Sequence, residues 1–311
     1  MGEYKILKNL VFTKTDREYM TCDVYLPLNR MAIPSVVMIH GGSWKLGNTE
    51  AYAEWGIALA ERGICAISIN YRLSIVGYPA WPGCLNDTED AVNFLVSRAH
   101  EWNLDPQNIG FMGDSSGAHL AFMYTFRHEY TSSRVRFIVG AYGVYDLPAW
   151  KEYADEKWPY QPNIVTNLIA KDYKTERSFY EDASPYYTVD KALENNPLLN
   201  LDIFLTWGDQ DGYVPKEQSE AFVEKLKKHE KRMRVTAMPI HDAAHLWFPR
   251  DIVAGEINTM DKYPLSVVSP KVFEFIEAVF AKNANRFSYP KLEGGYENSN
   301  AFKKSNINAS H

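Results

Sequence analysis

A serine set between two glycines, Gly113-Asp114-Ser115-Ser116-Gly117, is followed far downstream by two aspartates, Asp209 and Asp211, and two histidines, His241 and His245. A serine hydroxyl is almost wholly protonated at neutral pH, so it needs a base, and an imidazole base needs a carboxylate to fix its tautomer. Together these residue types could attack a carbonyl carbon. The G-x-S-x-G spacing alone is modest support, because residue frequencies give a chain of this length one match by chance about one time in ten. Context sharpens it. Apolar Ile109 to Met112 reads as a strand running into the turn and Ala118 to Tyr124 as a helix leaving it, the setting of a nucleophile elbow. Glycines without Cβ let strand and helix pack around that turn and hold Ser115 at the carboxyl edge of a sheet. The plainer alternative is a βα turn with a helix-capping serine.

Upstream, the run Ser35 to Ile39 ends in His40-Gly41-Gly42-Ser43-Trp44. Glycines there allow backbone N–H groups to approach a developing oxyanion, so Gly41, Gly42 and Ser116 are the expected donors. His40 is expected to orient the loop through hydrogen bonds. Trp44 is a candidate substrate contact, weighed against simple packing. Downstream, Ile203 to Thr206 leads into Trp207-Gly208-Asp209-Gln210-Asp211, and Arg234 to Met238 leads into His241-Asp242-Ala243-Ala244-His245. The chain order Ser, Asp, His is that of one of the three known triad arrangements. Either aspartate could be the carboxylate. For the base, His245 has the loop slack to swing back over Ser115 and His241 hardly has. The His241-x-x-x-His245 spacing also suits a zinc helix, but Asp242 stands where that motif wants Glu and Pro239 suggests a loop, so neither metal nor cofactor is expected.

These residues need a scaffold that gathers strand ends. Near-continuous apolar runs at Ser35–Ile39, Ile64–Ile69, Ile109–Met112, Phe137–Ala141, Ile203–Thr206 and Arg234–Met238 alternate with amphipathic stretches. That alternation predicts an α/β fold with a mostly parallel central sheet flanked by helices. Helical spacing marks Asp90–Val96, Ala118–Tyr124, Ser219–Leu226 and Val272–Phe280, and Ile6 to Leu26 reads as an edge hairpin. Residues 147–182, aromatic and charged with Pro159 and Pro162, read as an inserted cap whose Trp158 and Tyr160 could stack on a ring or sugar face. Residues 1–284 are expected to form one domain, and 285–311, polar and without periodicity, a tail.

Composition removes other classes. The 311 residues are 46% hydrophobic and 23% charged with net charge −6, an ordinary globular balance. No basic run is present to neutralise phosphates and no stretch approaches ~18 apolar residues, so neither nucleic acid nor membrane is an expected partner. Without an apolar segment behind a basic start, a cytoplasmic location is expected, with a secreted mature form as the alternative. The sequons at Asn86 and Asn308 then carry no consequence. Cys22, Cys65 and Cys84 are odd in number and should stay reduced. Monomer and homodimer both remain open.

Taken in order, the His-Gly-Gly-x-Trp loop, Asn70-Tyr71-Arg72-Leu73-Ser74, the serine elbow, Ala183-Ser184-Pro185, Gly208-x-x-Asp211-x-x-Val214-Pro215 and His245 resemble the α/β-hydrolase esterases. The similarity is greatest to the hormone-sensitive-lipase-like and bacterial feruloyl-esterase-like branches, over roughly residues 20–282. The resemblance implies a serine hydrolase of small-molecule carboxylic esters, feruloyl or acetyl esters of plant polysaccharide among them, with Ser115 as nucleophile, Asp211 as acid and His245 as base. Kynurenine formamidase has the same oxyanion-loop form, which leaves an amidase as the runner-up, and a noncatalytic binding module of the fold is a third reading. Trp207 replaces the usual His before Gly208 and Ser116 replaces a common Ala, departures that bear on substrate preference.

Overall fold

A strand that is apolar at nearly every position must be covered on both faces, and an antiparallel edge strand need not be. The computed structural model, which describes residues 2–75, 77–127, 134–161, 163–249 and 259–284, follows this rule. Eight strands form one sheet: β1 (Tyr4–Lys14), β2 (Tyr19–Pro27), β3 (Ile33–Ile39), β4 (Cys65–Ile69), β5 (Leu104–Asp114), β6 (Val135–Ala141), β7 (Leu201–Gly208) and β8 (Met233–Ile240). Their order is β1-β2-β4-β3-β5-β6-β7-β8. The first two pairings are antiparallel and the remaining five parallel. The apolar runs expected to be strands are the cores of β3 to β8, and the hairpin is β1 and β2; β8, expected to be covered on both faces, instead lies at the sheet margin with Thr236, Ala237 and Pro239 exposed. Register shifts interrupt β1 between Leu7 and Leu10 and between Val11 and Thr13.

The helices are α1 (Ala53–Glu61), α2 (Gly83–Ser97), α3 (Ser116–Arg127), α4 (Leu147–Lys157), α5 (Ile164–Ile169), α6 (Arg177–Asp182), α7 (Pro185–Asn195), α8 (Lys216–Lys227) and α9 (Leu265–Ala284). The chain steps from β3 to β4 on one side and from β4 past β3 to β5 on the other. Right-handed crossovers therefore place α1 and α2 on opposite faces. On the α1 face, Trp55 packs on Phe273 of α9 with ring centroids 5.2 Å apart. The reversal between β3 and β5 opens a crevice at the carboxyl ends of the strands. In-register pairs such as Ile39 with Gly113 and Gly208 with Ile240 align those ends along one edge.

Residues 147–182 hold α4, α5 and α6 between β6 and β7, with α4 ending before Pro159 as that proline requires. Asp146 caps α4 by accepting from the Ala149 amide at 2.9 Å. Trp150 and Tyr180 are buried here, so these two aromatics of the insert pack rather than face solvent. Cys22, Cys65 and Cys84 are buried and unpaired. The expected tail, 285–311, and Asn308 within it lie outside the described residues.

The end of β5 is tied to the loop after β3 from inside. Asp114 is fully buried, and its Oδ1 accepts from the Gly41 amide at 2.8 Å and the Tyr52 hydroxyl at 3.0 Å. Burial pushes its carboxyl up from the ordinary 3.8 to about 6, against the opposing pull of those two donors. Between these values the folded state holds a proton that the unfolded chain has lost, so this residue makes stability fall as pH rises through that window. Asp114→Asn keeps an acceptor and removes the titration. Relative to wild type, its denaturation midpoint should improve on going from pH 4 to pH 7, and a difference independent of pH would show that Asp114 does not titrate there.

Candidate active site

The elbow is strained where the sequence expects it to be. Ser115 sits at φ 47°, a left-handed conformation that costs a non-glycine residue free energy, and its amide donates to Ala141 O at 2.9 Å. The flanking glycines let three backbones meet. A Cβ on Gly117 would lie 2.0 Å from the Ile39 carbonyl oxygen, and one on Gly113 would lie 2.6 Å from the Gly117 carbonyl carbon. Neither contact leaves room for a side chain.

Above this turn, His245 Nε2 lies 3.2 Å from Ser115 Oγ and His245 Nδ1 lies 2.5 Å from Asp211 Oδ2. Both the imidazole and the carboxylate are almost fully buried. With Nδ1–H donating to the carboxylate, Nε2 is left as the acceptor for the serine proton. The other oxygen of Asp211, Oδ1, accepts from the amides of Tyr213 and Val214, each at 2.9 Å. Asp209 and His241 do not join them. These two pair with each other at 2.7 Å on the surface, where the Asp209 carboxylate raises the His241 pKa. His241 and His245 thus serve separate partners.

The loop after β3 is a run of positive φ, with Gly42 at 116°, Ser43 at 57° and Trp44 at 56°. A Cβ on Gly42 would meet Leu46 O at 2.3 Å. Among the described residues the Gly42 amide has no acceptor, and Ser116 heads α3, whose first amides lack intrahelical partners. These two N–H groups are available to an oxyanion. Gly41 is a correction: its N–H is committed to Asp114 Oδ1, so it holds the loop and is not a free donor.

Trp44 is a second correction, since its side chain is only 1% exposed. Its Nε1 donates to His119 Nδ1 at 3.2 Å, and His119 Nε2 donates to Ala183 O at 2.7 Å. These bonds fix one neutral tautomer, and burial lowers the His119 pKa to about 4. Tyr160 is 98% exposed. Trp158 is half-buried and reaches the site indirectly, its ring 5.7 Å from that of Tyr213, which in turn lies 5.7 Å from the His245 imidazole. His40 is buried, stacks on Tyr71 at 4.5 Å and donates from Nδ1 to Gly41 O at 2.7 Å. Its pKa falls to about 4 through burial, as a loop-orienting neutral histidine requires.

Three residues at the site escape the sequence reading. Tyr142, just after β6, lays its ring 4.5 Å from the His245 imidazole, and its hydroxyl accepts from the Phe248 amide at 2.9 Å. Its signal was available, since any residue following a parallel strand lies on the same edge. Tyr213 lies inside the acid loop, where the motif marks only a spacing. His119 gives no signal in a single sequence, because a histidine on an apolar helix face is an ordinary core residue.

The model of the BD-FAE family matches residues 22–226. A probable carboxylic ester hydrolase, LipM, of Mycobacterium tuberculosis is 28% identical over 215 residues, covering 66% of this chain and 47% of that protein. A probable isoprenylcysteine alpha-carbonyl methylesterase of Oryza sativa subsp. japonica is 26% identical over 242 residues, covering 72% and 54%. The chain therefore spans about half the length of these curated relatives. Among solved structures, a truncated carbohydrate esterase from gut microbiota superimposes with TM-score 0.65 at 23% identity, over 88% of this chain and 96% of that one. Carboxyl esterase 2 of the mycorrhizal fungus Tuber melanosporum gives 0.67 at 20% identity, over 89% and 88%. The fold is thus the α/β-hydrolase fold, and by the family match across most of its length the chain belongs to the BD-FAE family.

Proposed function

We propose that the protein hydrolyses carboxylic esters through an acyl-enzyme on Ser115. The observation that carries this reading is the unbroken path from Ser115 Oγ through His245 to Asp211, at 3.2 and 2.5 Å. His245 Nε2 takes the serine proton as Oγ attacks the ester carbonyl, then returns it to the departing alcohol. A water attacks the acyl-enzyme in the second half, with the same imidazole acting again as base and then as acid. Asp211 keeps Nδ1 protonated and stabilises the imidazolium formed in each half. The amides of Gly42 and Ser116 bind the oxyanion, and one such donor is typically worth ~2.7–4 kcal/mol in the transition state. The relatives named as ester hydrolases support the reaction class.

The finer reading is an ester carrying a planar or ring-shaped group, such as a feruloyl or acetyl ester on a saccharide. It is supported by the Tyr213 ring near His245, with Trp158 behind it, and by structural neighbours described as a carbohydrate esterase and as an acetyl ester-xyloside bifunctional hydrolase.

Two outcomes are expected. Ser115→Ala should lower kcat on a nitrophenyl ester by ~10⁴ or more and abolish labelling by a fluorophosphonate, because triad members act as a unit. Turnover like that of wild type in this variant would remove Ser115 from the reaction. Trp158→Ala should lower kcat/KM on methyl ferulate by about threefold to tenfold, the worth of one ring contact, and leave a short-chain aliphatic ester nearly unaffected. Highest efficiency on a ten-carbon acyl ester, or no effect of the substitution on ferulate, would defeat the finer reading.

A further inference from the structure

The insert is bonded to the acid loop as well as lying beside it. Trp150 and Tyr153 are three residues apart on α4 and so project from one face of that helix. Trp150 Nε1 donates to the Tyr213 carbonyl at 2.9 Å and the Tyr153 hydroxyl donates to the Gly212 carbonyl at 2.9 Å. These are consecutive peptide groups. The peptide bonded by Trp150 carries the Val214 N–H and the one bonded by Tyr153 carries the Tyr213 N–H, and both donate to Asp211 Oδ1 at 2.9 Å. Each peptide plane is therefore held at its oxygen by α4 and aimed at the carboxylate by its nitrogen.

The helix that supplies these donors is itself fixed. Gln218 of α8, buried just beyond the acid loop, accepts from the amides of Tyr145 and Asp146 at 2.9 Å each and donates to Asp146 O at 3.0 Å. The Leu147 amide donates to Ser184 Oγ at 3.0 Å. Acid loop, α8 and the start of α4 thus form a closed ring of hydrogen bonds.

We infer that Trp150 and Tyr153 are positioning residues for the Asp211–His245 pair, acting through the two peptide groups at 212–214. This rests on the ester-hydrolase reading only for its kinetic readout. Without the two donors the peptide planes are held at their nitrogens alone, Asp211 is less firmly held against His245, and the imidazolium loses part of its stabilisation. Charged or titratable groups facing the pair are Asp114 behind Ser115, Tyr142 and Tyr213 against the imidazole, and Tyr153 itself. Trp150→Phe leaves all of them in place.

The test uses Trp150→Phe, Tyr153→Phe and the double variant of the full chain, with Glu156→Ala, an exposed residue of the same helix, as control. The expected result on a nitrophenyl acetate substrate is a kcat about tenfold lower in the double variant with KM nearly unchanged, and an acid limb of the kcat/KM profile moved to lower pH. Glu156→Ala should change neither. NMR titration of His245 in the same variants should show its pKa lowered even if the wild type hydrolyses no ester, which separates failure of this inference from failure of the proposed reaction. Tyr153→Phe covers the case in which Trp150→Phe does not fold, because the Tyr153 side chain lies at the surface. An unchanged His245 titration and pH profile in the folded variants, or an effect confined to KM, would overturn the assignment.

Discussion

The contact of Gly117 with the Ile39 carbonyl governs the rest of the site, because it sets how near the start of α3 comes to the end of β3. With any side chain at 117 the two would have to part by more than an ångström, since a Cβ there would lie 2.0 Å from that oxygen. At the observed spacing Ser115 is driven to positive φ, and the amide of Ser116 shares the strand-edge crevice with the loop carrying Gly42. The parallel register of β3, β5, β7 and β8 then delivers the other groups to the same edge. Strain at one residue is offset by the ladders on either side, which hold it without help from the site.

The histidines divide by environment. His40 and His119 are fully buried without carboxylate partners and are held neutral, each with a tautomer dictated by a backbone carbonyl. They function as rigid connectors, His40 within the oxyanion loop and His119 between Trp44 and the Ala183 segment. His245 differs in having a carboxylate on one nitrogen and a hydroxyl on the other. The same side chain is thus set up as a spacer or for proton transfer according to what faces its two ring nitrogens.

Much of this was legible in the sequence because its logic is local. Apolar runs named the buried strands, glycines named the turn, and loop slack with the resemblance distinguished His245 from His241 and Asp211 from Asp209. What failed was whatever depends on three-dimensional partners. Two adjacent glycines look equivalent, yet the Gly41 amide points at Asp114 and the Gly42 amide does not. Trp44, Trp158 and Tyr160 are aromatic alike, but one is buried against His119, one is backed by Tyr213, and one stands in solvent. The hydrogen bonds from α4 to the acid loop join positions 60 or so residues apart, and no spacing rule reaches across such a gap.

Both free margins of the sheet are awkward templates for another chain. On β1 the pairing is broken twice by register shifts, Asn9 takes a left-handed conformation, and Lys5, Lys8 and Lys14 punctuate the strand. At the opposite margin β8 carries Pro239, which has no N–H to offer. An incoming strand meets kinks, like charges and a missing donor, the features by which natural sheets resist edge-to-edge growth. Both margins therefore disfavour extension of the backbone ladder by another chain, which leaves a long, strongly apolar sheet less open to fibrillar polymerisation.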